Sequence, residues 1–275
     1  MTVRVQRVSS ARRVIRSPRL LRLAFVVWRT VREWTPLLSY RNAKLRRQFE
    51  PWIPVPPGAL IFSATGTRSV DWFLVSGEAT AGALTKALES VGRPLDSFER
   101  VFELGCGCGR ILRQWSRVDG PEWYASDYNP QGVEWGKKHL PYVNFSLNQL
   151  GPPLEFTSEF FDLCYAVSVF THLPEDLQEP WVKEMHRVLR PGGILLVTLS
   201  GEGDLVRTTM DEQSRFHSQG IVVVDPNFAG TNLCGVYHSE AFVRRTWAPY
   251  FRVLKFFPQG ASGSPKQDLY VLERL

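Results

Sequence analysis

The chain has 275 residues, of which 44% are hydrophobic, and a formal net charge of +6. That length and apolar content exclude a disordered or low-complexity chain and suit one large α/β domain with an appendage. The charge is unevenly placed: residues 1–50 hold 13 Lys+Arg against 2 Asp+Glu, net +11, and the remainder holds 20 against 25, net −5. The basic character belongs to the N-terminal arm, and a mildly acidic main body argues against a nucleic-acid partner. Four cysteines, Cys106, Cys108, Cys164 and Cys234, show no C-x-x-C zinc spacing, so no metal site is expected. Cys106 and Cys108 have one residue between them, poor spacing for a relaxed disulfide, which points to a reduced, cytoplasmic chain.

In chain order, Ser17 and Pro18 read as an N-cap and first helical residue, opening a helix over 19–34. Helical spacing puts Leu20, Leu23, Val27, Val31 and Trp34 on one side and Arg19, Arg22, Arg29 and Arg32 on the other, and Pro36 is expected to end it. Three partners suit such a helix: the main domain, an anionic membrane met peripherally through residues 17–35, or nucleic acid. The longest apolar run near the N-terminus, Leu23 to Trp28, is too short to span a bilayer or serve as a signal peptide. Proline-dense residues 49–57 read as an extended linker.

Ser69 to Val91 reads as a helix interrupted or capped near Gly77. Strands are then expected at 100–104, 123–126, 143–147, 161–168 and 193–199, alternating with helices at 110–117, 130–139 and 174–189. A further helix is expected over His238–Tyr250, and closing strands over 251–257 and 267–273. Strands alternating with helices imply a doubly wound, mostly parallel sheet of seven strands, and the last two suggest an antiparallel C-terminal hairpin. Residues 1–57 divide off as a basic extension and linker, 58–97 as a helical cap segment, and 98–275 as the main domain with an insertion at about 201–236.

The first strand ends in Glu103 and runs into a loop with glycine at every second position, Gly105, Gly107 and Gly109. Glycine accepts φ > 0 and lets bare backbone meet a ligand, and the helix expected behind it offers unpaired N–H groups. A dinucleotide loop, G-x-G-x-x-G, would need its third glycine at position 110, which is Arg110, and no Gly-Lys-Ser/Thr follows for a P-loop. Asp127 ends the second strand 22 residues beyond Gly105, where a carboxylate can accept hydrogen bonds from both ribose hydroxyls. Strands three and four end at Asn148 and at the turn Val167-Ser168 to His172, and a Pro191-Gly192-Gly193 turn precedes strand five.

In this order the motifs GCGCG, SDYNP, SVFTHLP and RPGG resemble those of class I S-adenosylmethionine (SAM) methyltransferases over residues 98–199, and the C-terminal hairpin matches more loosely. The phrases FSATGT (62–67), GTNLC (230–234) and QDLYVL (267–272) are similar to a bacterial subgroup, in keeping with arginine outnumbering lysine 26 to 7. The resemblance implies SAM as cofactor, held by Glu103, Gly105, Cys106, Gly107, Gly109 and Asp127. Tyr128 is then placed beside the adenine, Asn148 at its edge, and Val167 and Ser168 at the methionine end. Asp162, opening strand four, becomes structural. The implied reaction is SN2 methyl transfer to a small-molecule or glycan acceptor at oxygen; the alternative is a non-catalytic SAM-binding scaffold at a membrane. His172 is the first candidate base and His238 the second, each with a structural role as the competing reading. The insertion, His217 and Asp211 included, is expected with residues 62–72 to form a lid over the acceptor.

Overall fold

The computed structural model describes residues 35–49, 53–263 and 266–275. The helix expected over 19–34, and its membrane contact, lie outside the described residues. Pro36, the expected stop of that helix, begins the first described one, α1 (Pro36–Phe49). Its missing N–H falls where a helix has no use for one, and the Thr35 hydroxyl accepts from Leu38 N–H at 3.3 Å. α2 (Gly58–Thr65) stops at Gly66 in the left-handed conformation.

α3 (Val70–Glu89) is capped by Ser69, whose hydroxyl accepts from Trp72 N–H. It runs unbroken through Gly77, contrary to the expected interruption. The residue there is glycine because a Cβ would lie 2.7 Å from the Arg110 carbonyl oxygen, so the helix and the glycine loop's trailing arm can approach closely. The connection between α1 and α2 is held through its carbonyls, since prolines offer no N–H. Arg46 donates to Val55 O and Pro56 O, and Arg113 donates to Ile53 O at 2.8 Å.

The strands are β1 (Arg100–Leu104), β2 (Glu122–Asp127), β3 (Val143–Leu147), β4 (Phe161–Val167) and β5 (Leu189–Leu199). The main sheet is completed by β8 (Phe251–Ala261) and β9 (Gln267–Arg274), in the order β3-β2-β1-β4-β5-β9-β8. β1 to β5 are parallel, and β9 runs antiparallel to both β5 and β8. This is the doubly wound, seven-stranded sheet with an antiparallel closing hairpin that the alternation predicts. α4 (Pro130–His139) and α5 (Glu175–Val188) fall where expected. Ala81, Leu84 and Leu88 of α3 pack with Val101, Leu163 and Leu196 on one face. Trp181, Met185 and Val188 of α5 pack with Phe102, Cys164 and Leu195 on the other.

Two expectations fail at element ends. Residues 110–117 form only a single 3₁₀ turn, Leu112–Trp115, tightened by Gln114 N–H to Ile111 O. Arg113 turns inward from it and is 8% exposed, so its guanidinium reaches the 53–54 carbonyls instead of solvent. The helix after the insertion, α7, covers Glu240–Trp247 with Ser239 as N-cap, and His238 ends a strand instead of opening the helix. That strand, β7 (Gly235–His238), pairs with β6 (Ile221–Val224) in a small sheet within the insertion, beside α6 (Met210–Gln219).

Among the described residues, no helix is long and apolar enough to cross a membrane and no group of His, Cys, Asp and Glu is arranged for a metal ion. Asp162 is 2% exposed, and its Oδ2 accepts from Glu99 N–H at 2.7 Å and Arg100 N–H at 2.8 Å. Its Oδ1 meets Arg190 Nε at 2.5 Å, so one carboxylate joins the start of β1 to β5. Asp162→Ala removes an acceptor from two backbone donors and is expected to lower unfolding stability by about 3 kcal/mol in urea melts. A loss under about 0.5 kcal/mol, the range of ordinary surface substitutions, would remove Asp162 from that role.

Candidate cofactor site at the carboxyl ends of the strands

Strand order reverses across β1 and β4, which opens a crevice beyond their carboxyl ends. The glycine loop fills its floor, with Gly105, Gly107 and Gly109 all at positive φ. A Cβ on Gly105 would collide with Val169, and one on Gly109 with Leu140, so this path is open only to glycine. With a 3₁₀ turn behind the loop, no helix terminus supplies free donors. Gly105 and Cys106 N–H both go to Ser126 O, at 2.8 and 3.1 Å, and Gly107 N–H goes to Asp127 Oδ2 at 2.7 Å.

Asp127 accepts a second bond on Oδ1 from Asn129 N–H at 2.8 Å. Burial raises its pKa, opposed by the N–H groups of Asn129, Gly107 and Tyr128. Those three donors leave the carboxylate, with about four acceptor sites, room for a further one. Glu103 is 3% exposed and accepts from Tyr165 Oη at 3.0 Å. Burial pushes its carboxyl up to about 8, against the lowering effects of the Tyr165 bond and the nearby Arg110 guanidinium. Burial also pushes the Cys106 and Cys108 thiols up, which leaves them as small apolar walls and not nucleophiles.

Tyr128 is 41% exposed, and its hydroxyl donates to Gly230 O at 2.5 Å. Asn148 N–H donates to Asp127 O, while its side-chain Oδ1 is sealed from solvent with no hydrogen-bond partner. Ser168, past Val167 at the end of β4, is held at φ 60, with its N–H donating to Thr198 Oγ1 at 2.8 Å. Its hydroxyl and that of Thr198 both donate to Gln267 Oε1 at 2.7 Å. Thr198 and Gln267 were not anticipated; Gln267 opens the QDLYVL phrase, but nothing in its spacing says that it would face β4.

His172 Nδ1 lies 2.6 Å from Cys234 O, and a carbonyl can only accept, so Nδ1 carries the proton and Nε2 the lone pair. Burial lowers its pKa, partly offset by that carbonyl. His238 is placed differently. It is 1% exposed, burial pushes it down to about 3, and its Nε2 pairs with Gln178 Oε1. The Gln178 amide donates in turn to Phe170 O and Leu173 O, so His238 stands behind the turn that carries His172. His217 and Asp211 lie on α6, and Asp211 pairs with Arg215 on the same helix. Two clefts of about 510 and 300 Å³ flank α3, and neither is lined by the glycine loop, Asp127 or His172.

A model of the methyltransferase domain family matches residues 102–197, which run from within β1 to within β5 and include the carboxyl ends of β1 to β4. A malonyl-[acyl-carrier protein] O-methyltransferase from Enterobacter lignolyticus is 34% identical over 108 residues, 38% of this chain and 40% of that protein. A tRNA N(3)-methylcytidine methyltransferase from Schizosaccharomyces pombe is 26% identical over 121 residues, 39% of this chain and 46% of that protein. The chain thus spans less than half the length of these curated relatives. Among solved structures, a glycopeptide N-methyltransferase complexed with SAM shares 14% identity, with a TM-score of 0.51 over 72% of this chain and 94% of that one. The 1,6-didemethyltoxoflavin-N1-methyltransferase of Burkholderia thailandensis shares 15%, with a TM-score of 0.50 over 71% and 77%. Residues 102–197 thus match the methyltransferase domain family, and the fold is the Rossmann-like one of class I methyltransferases.

The raised Glu103 carboxyl has a consequence for stability. The unfolded chain ionises it near the ordinary value of 4.5, while the folded chain keeps its proton up to about 8. Stability from this group is present below 4.5 and is lost as pH rises between those values. In thermal melts from pH 5 to pH 8, Glu103→Gln should flatten the fall in Tm; an unchanged slope would contradict the burial argument.

Proposed function

We propose that this chain transfers a methyl group from SAM to a small-molecule or glycan acceptor, at oxygen. The observation that carries the reading is the His172 Nδ1–H to Cys234 O hydrogen bond, which leaves an Nε2 lone pair at the end of β4. When bound, SAM supplies an electrophilic methyl on a sulfonium that departs as a neutral thioether, so charge is dispersed and alignment counts for most. His172 Nε2 takes the hydroxyl proton of the acceptor as the new carbon–oxygen bond forms. Its lowered pKa keeps it in the basic form at neutral pH. The Enterobacter relative's name, an O-methyltransferase, supports oxygen as the acceptor atom.

The residues fit the cofactor. Asp127 keeps an acceptor site for a ribose hydroxyl, Tyr128 offers a ring beside the adenine, and the sealed, unpartnered Oδ1 of Asn148 suits an amino group on the adenine edge. Glu103 and the backbone of Gly105, Cys106, Gly107 and Gly109 form the wall against the cofactor. Val167 and Ser168, held by Thr198 and Gln267, flank its methionine end.

Calorimetry with S-adenosylhomocysteine tests the site: Asp127→Ala should weaken binding about tenfold or more, as expected for loss of a charged acceptor. Undiminished affinity would remove Asp127 from the ribose contact. His172→Ala should not weaken that affinity. Once an acceptor is turned over, kcat/KM should fall with decreasing pH through a midpoint below the usual histidine value of about 6.5. A His172→Ala enzyme with full turnover would discard His172 as the base.

A further inference from the structure

Residues 225–234, the loop between β6 and β7, form a strap across the crevice. The strap is fastened at four points. Tyr128 Oη donates to Gly230 O at 2.5 Å, and Gly230 N–H donates to His172 O at 2.8 Å. Asn232 Nδ2 donates to Ser63 O of α2 at 2.8 Å, and His172 Nδ1 donates to Cys234 O. Gly230 sits between Tyr128 and Leu150: a Cβ added to it would lie 3.3 Å from Tyr128 Cζ and 2.7 Å from Leu150 Cδ1. These two side chains and Asn148 bound the space where the reading above puts the adenine. A purine stacked between two walls needs roughly 7 Å between them. Here both walls already touch the strap. Beside it Asn148 Oδ1 is shut away from solvent without a donor, an arrangement that costs free energy until a donor arrives.

We propose that Gly230 and its neighbours plug the adenine slot, an autoinhibitory contact that must withdraw for cofactor to enter. The proposal rests on the SAM reading and adds to it. The lid expected over the acceptor is in this arm a lid on the cofactor side. The strap's last residue, Cys234, adjoins β7 and holds the ring of His172, so the proposed withdrawal is that of Gly230 and its neighbours with the Cys234 bond kept.

A protein whose binding-competent form is a minor one shows an affinity reduced by that fraction, and loosening the closed form restores it. Asn232→Ala deletes one fastening from an exposed side chain. Gly230→Ala puts a methyl group into both walls at a left-handed φ of 77°. Each should raise the association rate of S-adenosylhomocysteine and tighten its Kd, by about fivefold for Asn232→Ala, the factor one hydrogen bond commands. Hydrogen exchange of residues 225–236 in the wild type should quicken when the probe is added. Unchanged or slower association in the Asn232 variant, or greater protection of 225–236 on binding, would overturn the plug and make the strap a roof that closes over bound cofactor. Failure of the wild type and both variants to bind the probe would instead overturn the cofactor reading and the plug together.

Discussion

The hydrogen bond from Gly107 N–H to the Asp127 carboxylate is the contact on which the site depends. It ties the glycine loop after β1 to the end of β2, and the second oxygen of the same carboxylate ties that end to the start of α4 through Asn129. Three backbone N–H groups take most of its acceptor sites and leave room for a further donor. A single acid therefore shapes the crevice and remains able to meet a ligand within it. The loop can come this close because glycine alone tolerates its path against Val169 and Leu140.

Around that contact, charge and burial divide the work. Glu103, Asp127 and His172 are all held toward their neutral forms by burial. Asp162, at the opposite end of β4, is surrounded by donors, the backbone N–H groups of Glu99 and Arg100 and the Arg190 guanidinium, an arrangement that ties strands together. A cofactor that carries a positive sulfonium does not require an oxyanion hole. The crevice accordingly presents carboxylates, hydroxyls and a histidine, with its nearest arginine, Arg110, turned toward Ser76 and Thr80 of α3.

Much of this was legible in the chain. The alternation of strands and helices, the spacing of Gly105, Gly107 and Gly109, and Asp127 at a strand end are local patterns, and local sterics and periodicity dictate them. The misreadings fall where local pattern is ambiguous. Gly77 reads as a helix breaker but serves a helix–loop contact that involves Arg110, 33 residues away in the chain. The stretch at 110–117 has helical composition, yet its Arg113 is spent on the carbonyls of a proline-rich connection.

The sequence by itself determined the parallel sheet, its antiparallel close, the glycine loop and the acid opposite it, because these follow from hydrophobic period and from what glycine permits. Only the tertiary structure decided which ring nitrogen of His172 carries the proton, since a tautomer is set by a partner such as Cys234 O, 62 residues away. It likewise decided that His238 is buried behind Gln178, that Ser168 and Thr198 share Gln267, and that Gly230 stands between Tyr128 and Leu150. Those contacts join segments far apart in the chain, and no local period records them.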